Sequence, residues 1–425
     1  MGYAAQSGVI KVNLITNRRF IAAGQEQIVY LLVEMQVKEK NVDGTGRLPL
    51  NLGLVLDRSG SMAGDKLAYT RKAASFMVKH LSEKDHVSVV TFDDEVNVLL
   101  SSRHVANKDA LKQMLDQIGP GGSTNLSGGL ISGFREVKRR ARPNQVNRIL
   151  LLTDGLANVG LTGPALIDKA GEIRKAGVGV TTLGVGSDFD EDLLLAMAEK
   201  STGNFYFIEN PDRIPAIFAE ELQGLLQVVA QGITLRFRPW AGWKLAGVLG
   251  YPPNVTPAGV IFDIPDMYRG EAKFLMFELL SPRAACGIHQ AGEISLEYED
   301  AVSGGSVSLS LQLEMEATDD PLLLREPENP EVLRRREEFR ASEALERAKE
   351  AADAGQFDEA GNILSEQARS LSALAEATGD ADLQARAERL STQAEKMRSS
   401  AFDKTARKQV VHESYMLRRV RPPRS

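Results

Sequence analysis

The chain has 425 residues, a formal net charge of −6 at pH 7, and 43% hydrophobic and 25% charged residues. This composition is typical of a globular protein of about two or three domains, and it gives no general attraction to nucleic acid or to an anionic membrane. The single cysteine, Cys286, excludes an intrachain disulfide, and no segment approaches the ~20 apolar residues that a membrane helix needs. We therefore expect a cytoplasmic protein that binds neither membranes nor nucleic acid.

Two segments near the start of the chain have the composition of β-strands. Residues 8–15 (GVIKVNLI) and 26–38 (EQIVYLLVEMQVK) are rich in Val, Ile and Tyr and partly alternate. Two strands alone form a marginal sheet, whereas residues 230–318 contain several more strand-like segments separated by Gly, Pro and Asn. We predict that residues 1–48 supply strands to a β-sandwich at 230–318, and that the residues between are an insertion in it.

Residues 49–229 have a different sequence pattern, in which short apolar runs alternate with amphipathic helical segments. The runs include NLGLVLD at 51–57 and RILLLTD at 148–154, and the pattern at 66–81 places Leu67, Ala74 and Val78 on one face. Near-continuous apolar strands that alternate with helices are typical of a mostly parallel sheet covered on both sides. This segment is predicted to form a doubly wound α/β domain.

Residues 328–425 are predicted to form a helical region that ends in a basic tail. Apolar side chains recur at helical spacing in two stripes, one from Phe357 to Leu374 and one from Leu383 to Met397. From Lys404 onward the chain holds seven Lys or Arg residues against one acidic residue. This tail is either a terminal element docked on the body of the protein, which we favour, or a binding segment for nucleic acid or an acidic partner.

The segment LVLDRSGSMAGDK, residues 54–66, joins an apolar run to an aspartate and two serines. Ligands of a doubly wound sheet collect where strands end and helices begin, and Asp57, Ser59 and Ser61 lie at such a point. One carboxylate and two hydroxyls are hard oxygen donors, which suit Mg²⁺, Mn²⁺ or Ca²⁺ rather than a soft metal. Asp and Ser are equally common as helix-capping and turn residues, so the triplet by itself leaves both interpretations open.

Two further segments favour the metal site. The glycine-rich GPGGSTNLSGGL at 119–130 leads into a predicted helix, and Thr124 is placed there to supply another hydroxyl. The run RILLLTDG at 148–155 ends a predicted core strand in Asp154, whose carboxylate can bind a metal directly or through a water. All three loops are expected at the same edge of the sheet. The two carboxylates would leave a divalent ion about neutralised before any partner arrives.

These five residues closely resemble the metal-ion-dependent adhesion site of the von Willebrand factor type A domain. The D-x-S-x-S pattern at Asp57, Ser59 and Ser61, Thr124 in GGSTN and Asp154 in TDG match it at every position, and the order of predicted strands and helices also fits. The resemblance implies that the first three residues bind the metal directly, and that Thr124 and Asp154 do so directly or through water. It also implies that an acidic side chain of a protein partner fills the remaining coordination position.

The function implied by the resemblance is a non-enzymatic, metal-dependent protein-binding module or scaffold. Intracellular bacterial relatives of this type often work beside AAA-type ATPases or kinase and phosphatase pairs, so a system of that kind is an expected partner. One alternative is a self-assembling structural protein, in which the acid of one copy binds the metal of the next. A metal-dependent hydrolase is less favoured, since the motif loops contain no general base beyond the metal ligands.

A last acidic segment, FDDEV at 92–96, contains neighbouring carboxylates that could serve acid or base chemistry. We favour a solvated turn before an edge strand.

Overall fold

The computed structural model describes residues 2–37, 47–240, 242–257, 259–399 and 402–419. The chain divides into two compact units, Gly44–Val228 and the combination of Met1–Asp43 with Val229–Ser425. The predicted fold class is confirmed: a mostly parallel α/β sheet is inserted in a β-sandwich, and a helical region follows.

Residues 2–37 form four strands before the insertion. They are β1 (Gly2–Ser7), β2 (Ile10–Thr16), β3 (Phe20–Ala22) and β4 (Ile28–Val37). Buried Ile10, Val12 and Leu14 alternate along β2 with more exposed polar residues, as expected for a strand that covers a core with one face. The predicted strands at 8–15 and 26–38 correspond to β2 and β4, whereas β1 and β3 were not predicted.

The α/β unit contains a six-stranded sheet. Its strands are β5 (Leu50–Asp57), β6 (His86–Phe92), β7 (Val96–His104), β8 (Val146–Thr153), β9 (Gly179–Val185) and β10 (Phe205–Ile208). They lie in the order β10-β9-β8-β5-β6-β7, and every neighbouring pair is parallel except β6 with β7. Since the chain proceeds from β5 to β6 in one direction and from β8 to β10 in the other, the order of strands reverses between β5 and β8. Ligands of doubly wound sheets bind at the carboxyl edge of such a reversal.

The α/β unit also contains six helices, of which the last follows β10. They are α1 (Asp65–His80), α2 (Lys108–Asp116), α3 (Leu126–Lys138), α4 (Gly163–Lys175), α5 (Glu191–Lys200) and α6 (Ile214–Leu226). The predicted stripe of α1 is buried, including Leu67, Ala74 and Val78. Helix α3 approaches the sheet closely because of two glycines. A Cβ atom at Gly133 would lie 2.3 Å from Val55, and one at Gly129 would lie 2.5 Å from the ring of Phe92.

The remaining strands complete two sheets that face each other across one core. They are β11 (Val228–Pro239), β12 (Lys244–Leu249), β13 (Asn254–Thr256), β14 (Gly259–Ile264), β15 (Met267–Tyr268), β16 (Ala272–Leu280), β17 (Gly287–Asp300) and β18 (Gly305–Thr318). One sheet has the order β1-β2-β4-β16-β12, and the other has the order β13-β14-β11-β17-β18-β3, with β15 paired to β11. The predicted joining of the N-terminal strands to later ones is confirmed, since β4 pairs with β16 from Ile28 to Gln36.

After the sandwich, the described residues up to 419 form four helices: α7 (Pro330–Asp353), α8 (Phe357–Thr378), α9 (Ala381–Arg398) and α10 (Lys404–Arg419). Most of both predicted stripes lies in a buried core that α8 and α9 share with α7 and α10, although Phe357 is exposed. Gly379 in the left-handed conformation ends α8. Helix α7 places Val332 and Phe339 against Leu32 and Met276 of the five-stranded sheet. Much of the basic tail is the ordered helix α10, while residues 420–425 lie outside the described residues. Within the described segments, every helix is too short or too polar to span a bilayer.

Candidate metal centre

The loop after β5 carries three of the five predicted ligands. Asp57 is the last residue of a strand that is buried along its whole length, and its own side chain has no exposed surface. Ser59 is buried two residues beyond the end of the strand, and Ser61 lies in a short 3-10 turn, Gly60–Met62, where it is exposed. The loop therefore leads from the core of the sheet to the surface within five residues.

Both carboxylate oxygens of Asp57 accept a hydrogen bond. The backbone N–H of Ser59 donates to Oδ1 at 2.8 Å, and the hydroxyl of Thr153, at the end of β8, donates to Oδ2 at 2.6 Å. Burial raises the pKa of the Asp57 carboxyl above its ordinary value, although these hydrogen bonds act in the opposite direction and the charge of Asp154 adds to the rise. A cation at this carboxylate would offset the cost of its burial.

Asp154 follows β8 directly, and its carboxylate is fully buried beside the first loop. The hydroxyl of Ser61 donates to Oδ1 at 2.7 Å, and the ammonium of Lys66, in the first turn of α1, forms an ion pair with Oδ2. The hydroxyl oxygens of Ser59 and Ser61 lie 3.1 Å apart. Four predicted ligands are thus neighbours at the carboxyl edge of β5 and β8.

Thr124 is held against the same edge. It is buried, and it precedes Asn125, whose side chain caps α3 by accepting from the backbone N–H of Gly128. A Cβ atom at Gly155 would lie only 2.9 Å from the Thr124 hydroxyl oxygen, so the glycine after Asp154 allows this close approach. The fifth predicted ligand therefore lies next to the loop that carries the fourth.

The glycine-rich loop is tied to the first loop by backbone and side-chain contacts. Gly60 N–H donates to the carbonyl of Gly122 at 2.9 Å, and Gly121 N–H donates to the carbonyl of Arg58 at 2.7 Å. Asp93, after β6, accepts from the backbone of Gly122 at 3.2 Å and forms an ion pair with Arg58 at 2.7 Å. The prediction of a solvated turn at 92–96 is wrong for Asp93, which is buried, while Asp94 and Glu95 are exposed.

The donor set fits a hard divalent cation. A hydroxyl that donates its proton to a carboxylate keeps its lone pairs available, as Ser61 does toward Asp154, and each Asp57 oxygen likewise retains free lone pairs. In the described parts of the chain, no group of three or more His, Cys, Asp or Glu side chains is placed to hold a metal. The candidate set instead combines two carboxylates with three hydroxyls.

Comparison with known proteins identifies the family of the α/β unit. The family model of the von Willebrand factor type A domain matches residues 51–220. The chain belongs to this family. The protein sll0103 of Synechocystis sp. is 30% identical over 292 residues, which cover 65% of this chain and 68% of that protein. YfbK of Escherichia coli is 30% identical over 224 residues, which cover 51% of this chain and 38% of that protein.

A solved structure shows the same fold over nearly the whole chain. The von Willebrand factor type A protein from Catenulispora acidiphila has a TM-score of 0.73 at 17% sequence identity, and the match covers 97% of this chain and 98% of that one. Domains of the type A family generally mediate protein–protein interaction, and their metal-ion-dependent adhesion sites bind divalent metals.

Two charged residues that contact the site loops were not singled out from the sequence. Lys66 stands five residues after Ser61 in GSMAGDK, where it reads as an ordinary first-turn helix residue. Asp93 stands between a core strand and a turn. The signal that could have found Asp93 is its position at the end of an apolar strand, where Asp57 and Asp154 also stand.

Proposed function

We propose that the protein holds a divalent cation on Asp57, Ser59, Ser61, Thr124 and Asp154 and uses it to bind an acidic side chain of a protein partner. Mg²⁺ is the expected ion, with Mn²⁺ and Ca²⁺ as alternatives of the same oxygen preference. The supporting observation is the difference in exposure among the five residues: Ser61 is exposed, while the other four are buried. A partner's carboxylate can therefore approach from the side of Ser61 and complete the coordination shell.

The proposal is of binding rather than catalysis. The groups that contact the two carboxylates are hydroxyls, a backbone N–H and the Lys66 ammonium. Hydroxyls and a protonated amine do not accept a proton from water at neutral pH, so they do not supply the general base that a metal-dependent hydrolase needs.

An apolar surface beside the site supports a protein ligand. Leu156, Val159 and Leu161 are 49%, 40% and 38% exposed in the loop that begins at Asp154. The Ser127 hydroxyl donates to the carbonyl of Val159 at 3.3 Å and accepts from the backbone N–H of Leu161 at 3.0 Å, which fixes this loop to α3. We propose that the partner's acidic residue is flanked by an apolar side chain that packs on this apolar surface.

Affinity capture with the full-length chain tests the proposal. Wild-type protein should retain a partner in Mg²⁺ and release it in EDTA, and Asp57→Asn should retain none in either buffer. Replacing one exposed Asp or Glu of the captured protein by Asn or Gln should abolish binding, which distinguishes metal-bridged capture from unspecific adhesion. Leu156→Ser should weaken capture but leave Mg²⁺ affinity unchanged. Capture that persists equally in EDTA would overturn the proposal.

The partner class and the compartment are further parts of the proposal. An AAA-type ATPase or a kinase and phosphatase system in the cytoplasm is the expected setting, and mass spectrometry of the EDTA eluate would identify it. If the eluate contains only the protein itself, self-assembly through the same site becomes the function, and light scattering with and without EDTA would then follow the assembly.

A further inference from the structure

The ion pair between Lys66 and Asp154 places a positive charge beside the proposed metal site. The Asp154 side chain has no exposed surface, and the Lys66 side chain is 26% exposed. A Cβ atom at Gly186, in the loop after β9, would lie 3.6 Å from the Lys66 nitrogen, so the ammonium lies between the ends of β8 and β9. The contact is therefore built by three separate segments of the α/β unit.

This ammonium changes the charge of the site. Asp57 and Asp154 together carry two negative charges, and Lys66 reduces their sum to one. A divalent ion bound to this set would leave one positive charge rather than none. The count from the sequence, in which two carboxylates neutralise the ion, omitted this lysine. A metal-loaded site with one residual positive charge attracts an anionic group more strongly than an electrically neutral site does.

We propose that Lys66 determines the charge specificity of the site by acting as a tethered cation on Asp154. The inference rests on the proposed function, because it concerns the same ion. In the metal-free protein, Lys66 balances the buried Asp154 carboxylate, which would otherwise stand next to Asp57 with only hydroxyl donors. With the ion bound, the same charge repels the ion and favours an incoming carboxylate. Lys66 thus weakens metal binding and strengthens the preference for an acidic partner.

Calorimetry with Mg²⁺ and Mn²⁺ on the full-length chain tests this inference. Lys66→Met should bind both ions about tenfold more tightly than wild type, because one unit charge near a divalent ion is removed. Lys66→Arg keeps the charge and should bind within about threefold of wild type by the same reasoning. Lys72→Met is the matched control, since Lys72 is exposed on the same helix and lies over the ring of Tyr69. That variant loses the same net charge but should bind as wild type does.

Thermal unfolding separates this role from a merely structural one. In EDTA, Lys66→Met should melt at a lower temperature than wild type, because Asp154 loses its countercharge. In saturating Mg²⁺ the difference should shrink or reverse, since the ion then supplies the charge. A structural lysine would lower the melting temperature equally in both buffers and leave the metal affinity unchanged.

The outcomes distinguish the two proposals. If wild-type protein binds neither ion, the proposed function fails. If wild type binds but Lys66→Met binds equally or more weakly, the inference about Lys66 is overturned while the metal site stands. Lys66→Gln repeats the neutralisation with a polar side chain, and the same comparison applies to it if the methionine variant does not fold.

Discussion

The guanidinium of Arg58 lies 2.7 Å from the carboxylate of Asp93 and joins the loop after β5 to the loop after β6. The same carboxylate accepts from the backbone N–H of Gly122, and the carbonyl of Arg58 accepts from Gly121. One buried side chain therefore holds the aspartate-serine loop and the glycine-rich loop in a fixed relation. Thr124, two residues beyond Gly122, depends on that relation for its position at the site.

Replacing Asp93 should weaken metal binding without removing a ligand. Asp93→Ala is expected to lower Mg²⁺ affinity about tenfold, since groups that orient metal ligands commonly contribute that much. It should also lower the free energy of unfolding of the α/β unit by about 3 kcal/mol, because it leaves Arg58 partly buried without its countercharge. Calorimetry and urea unfolding measure the two effects. Asp94→Ala, at an exposed neighbour, is the control, and equal effects of both variants would contradict the role assigned to Asp93.

Asp57→Asn should abolish measurable binding of the ion while preserving the fold. The amide keeps an acceptor for the N–H of Ser59, and the Thr153 hydroxyl can accept from the amide nitrogen instead of donating. Because burial raises the pKa of Asp57, a neutral side chain should leave the melting temperature in EDTA unchanged or higher. Calorimetry should show Mg²⁺ affinity at least about a hundredfold below wild type. Cys286→Ser, at an exposed thiol, should bind as wild type does.

The parallel strands were predictable because burial on both faces makes them continuous apolar runs. Every residue of β5, β6 and β8 is buried, and the runs in the sequence end close to where these strands end. Strand β1 was not predicted because its sequence, GYAAQS, contains no apolar alternation. Its antiparallel pairing with β2 makes it a strand in spite of that composition. Pairing partners override local propensity in such an edge strand.

The ligand residues were predictable from their type and spacing, but their supporting contacts were not. The Ser61 hydroxyl reaches Asp154 across 93 positions of sequence, and Thr153 reaches Asp57 across 96. Such contacts depend on which strands become neighbours in the sheet. The order of strands cannot be deduced directly from a single sequence. Lys66 and Asp93 were missed for the same reason. A lysine is ordinary on a helix and an aspartate is ordinary in a turn, and their contacts with the site depend on the fold.

Truncation of Leu31 should destabilise the β-sandwich unit, although one of the two strands that Leu31 pairs with, β16, lies beyond the whole inserted α/β unit in the sequence. Leu31 is fully buried in β4 and faces the core between the two sheets, opposite Phe277 of β16 in the ladder. Leu31→Ala should lower the free energy of unfolding by about 3 kcal/mol. Both tryptophans, Trp240 and Trp243, belong to this unit, so their fluorescence in a urea titration reports its unfolding.

Ile28→Ala is the matched control for Leu31→Ala. Ile28 lies at the start of the same strand and is 37% exposed, so its truncation should cost less than about 1 kcal/mol. If the two variants unfold at the same urea concentration, β4 does not contribute to the sandwich core as described.

His412 should make the stability of the same unit depend on pH in a defined window. It lies in α10, and burial lowers its pKa from 6.5 to about 4. The folded protein thus favours the neutral ring, and the unfolded chain binds a proton at higher pH. The stability that His412 contributes is therefore fully present above pH 6.5 and is lost as the pH falls toward about 4.

His412→Gln cannot titrate, so its free energy of unfolding should fall less than that of wild type between pH 7 and pH 4.5. Urea titrations followed by tryptophan fluorescence at both pH values measure the difference, and parallel losses in wild type and variant would show that His412 is not buried in its neutral form.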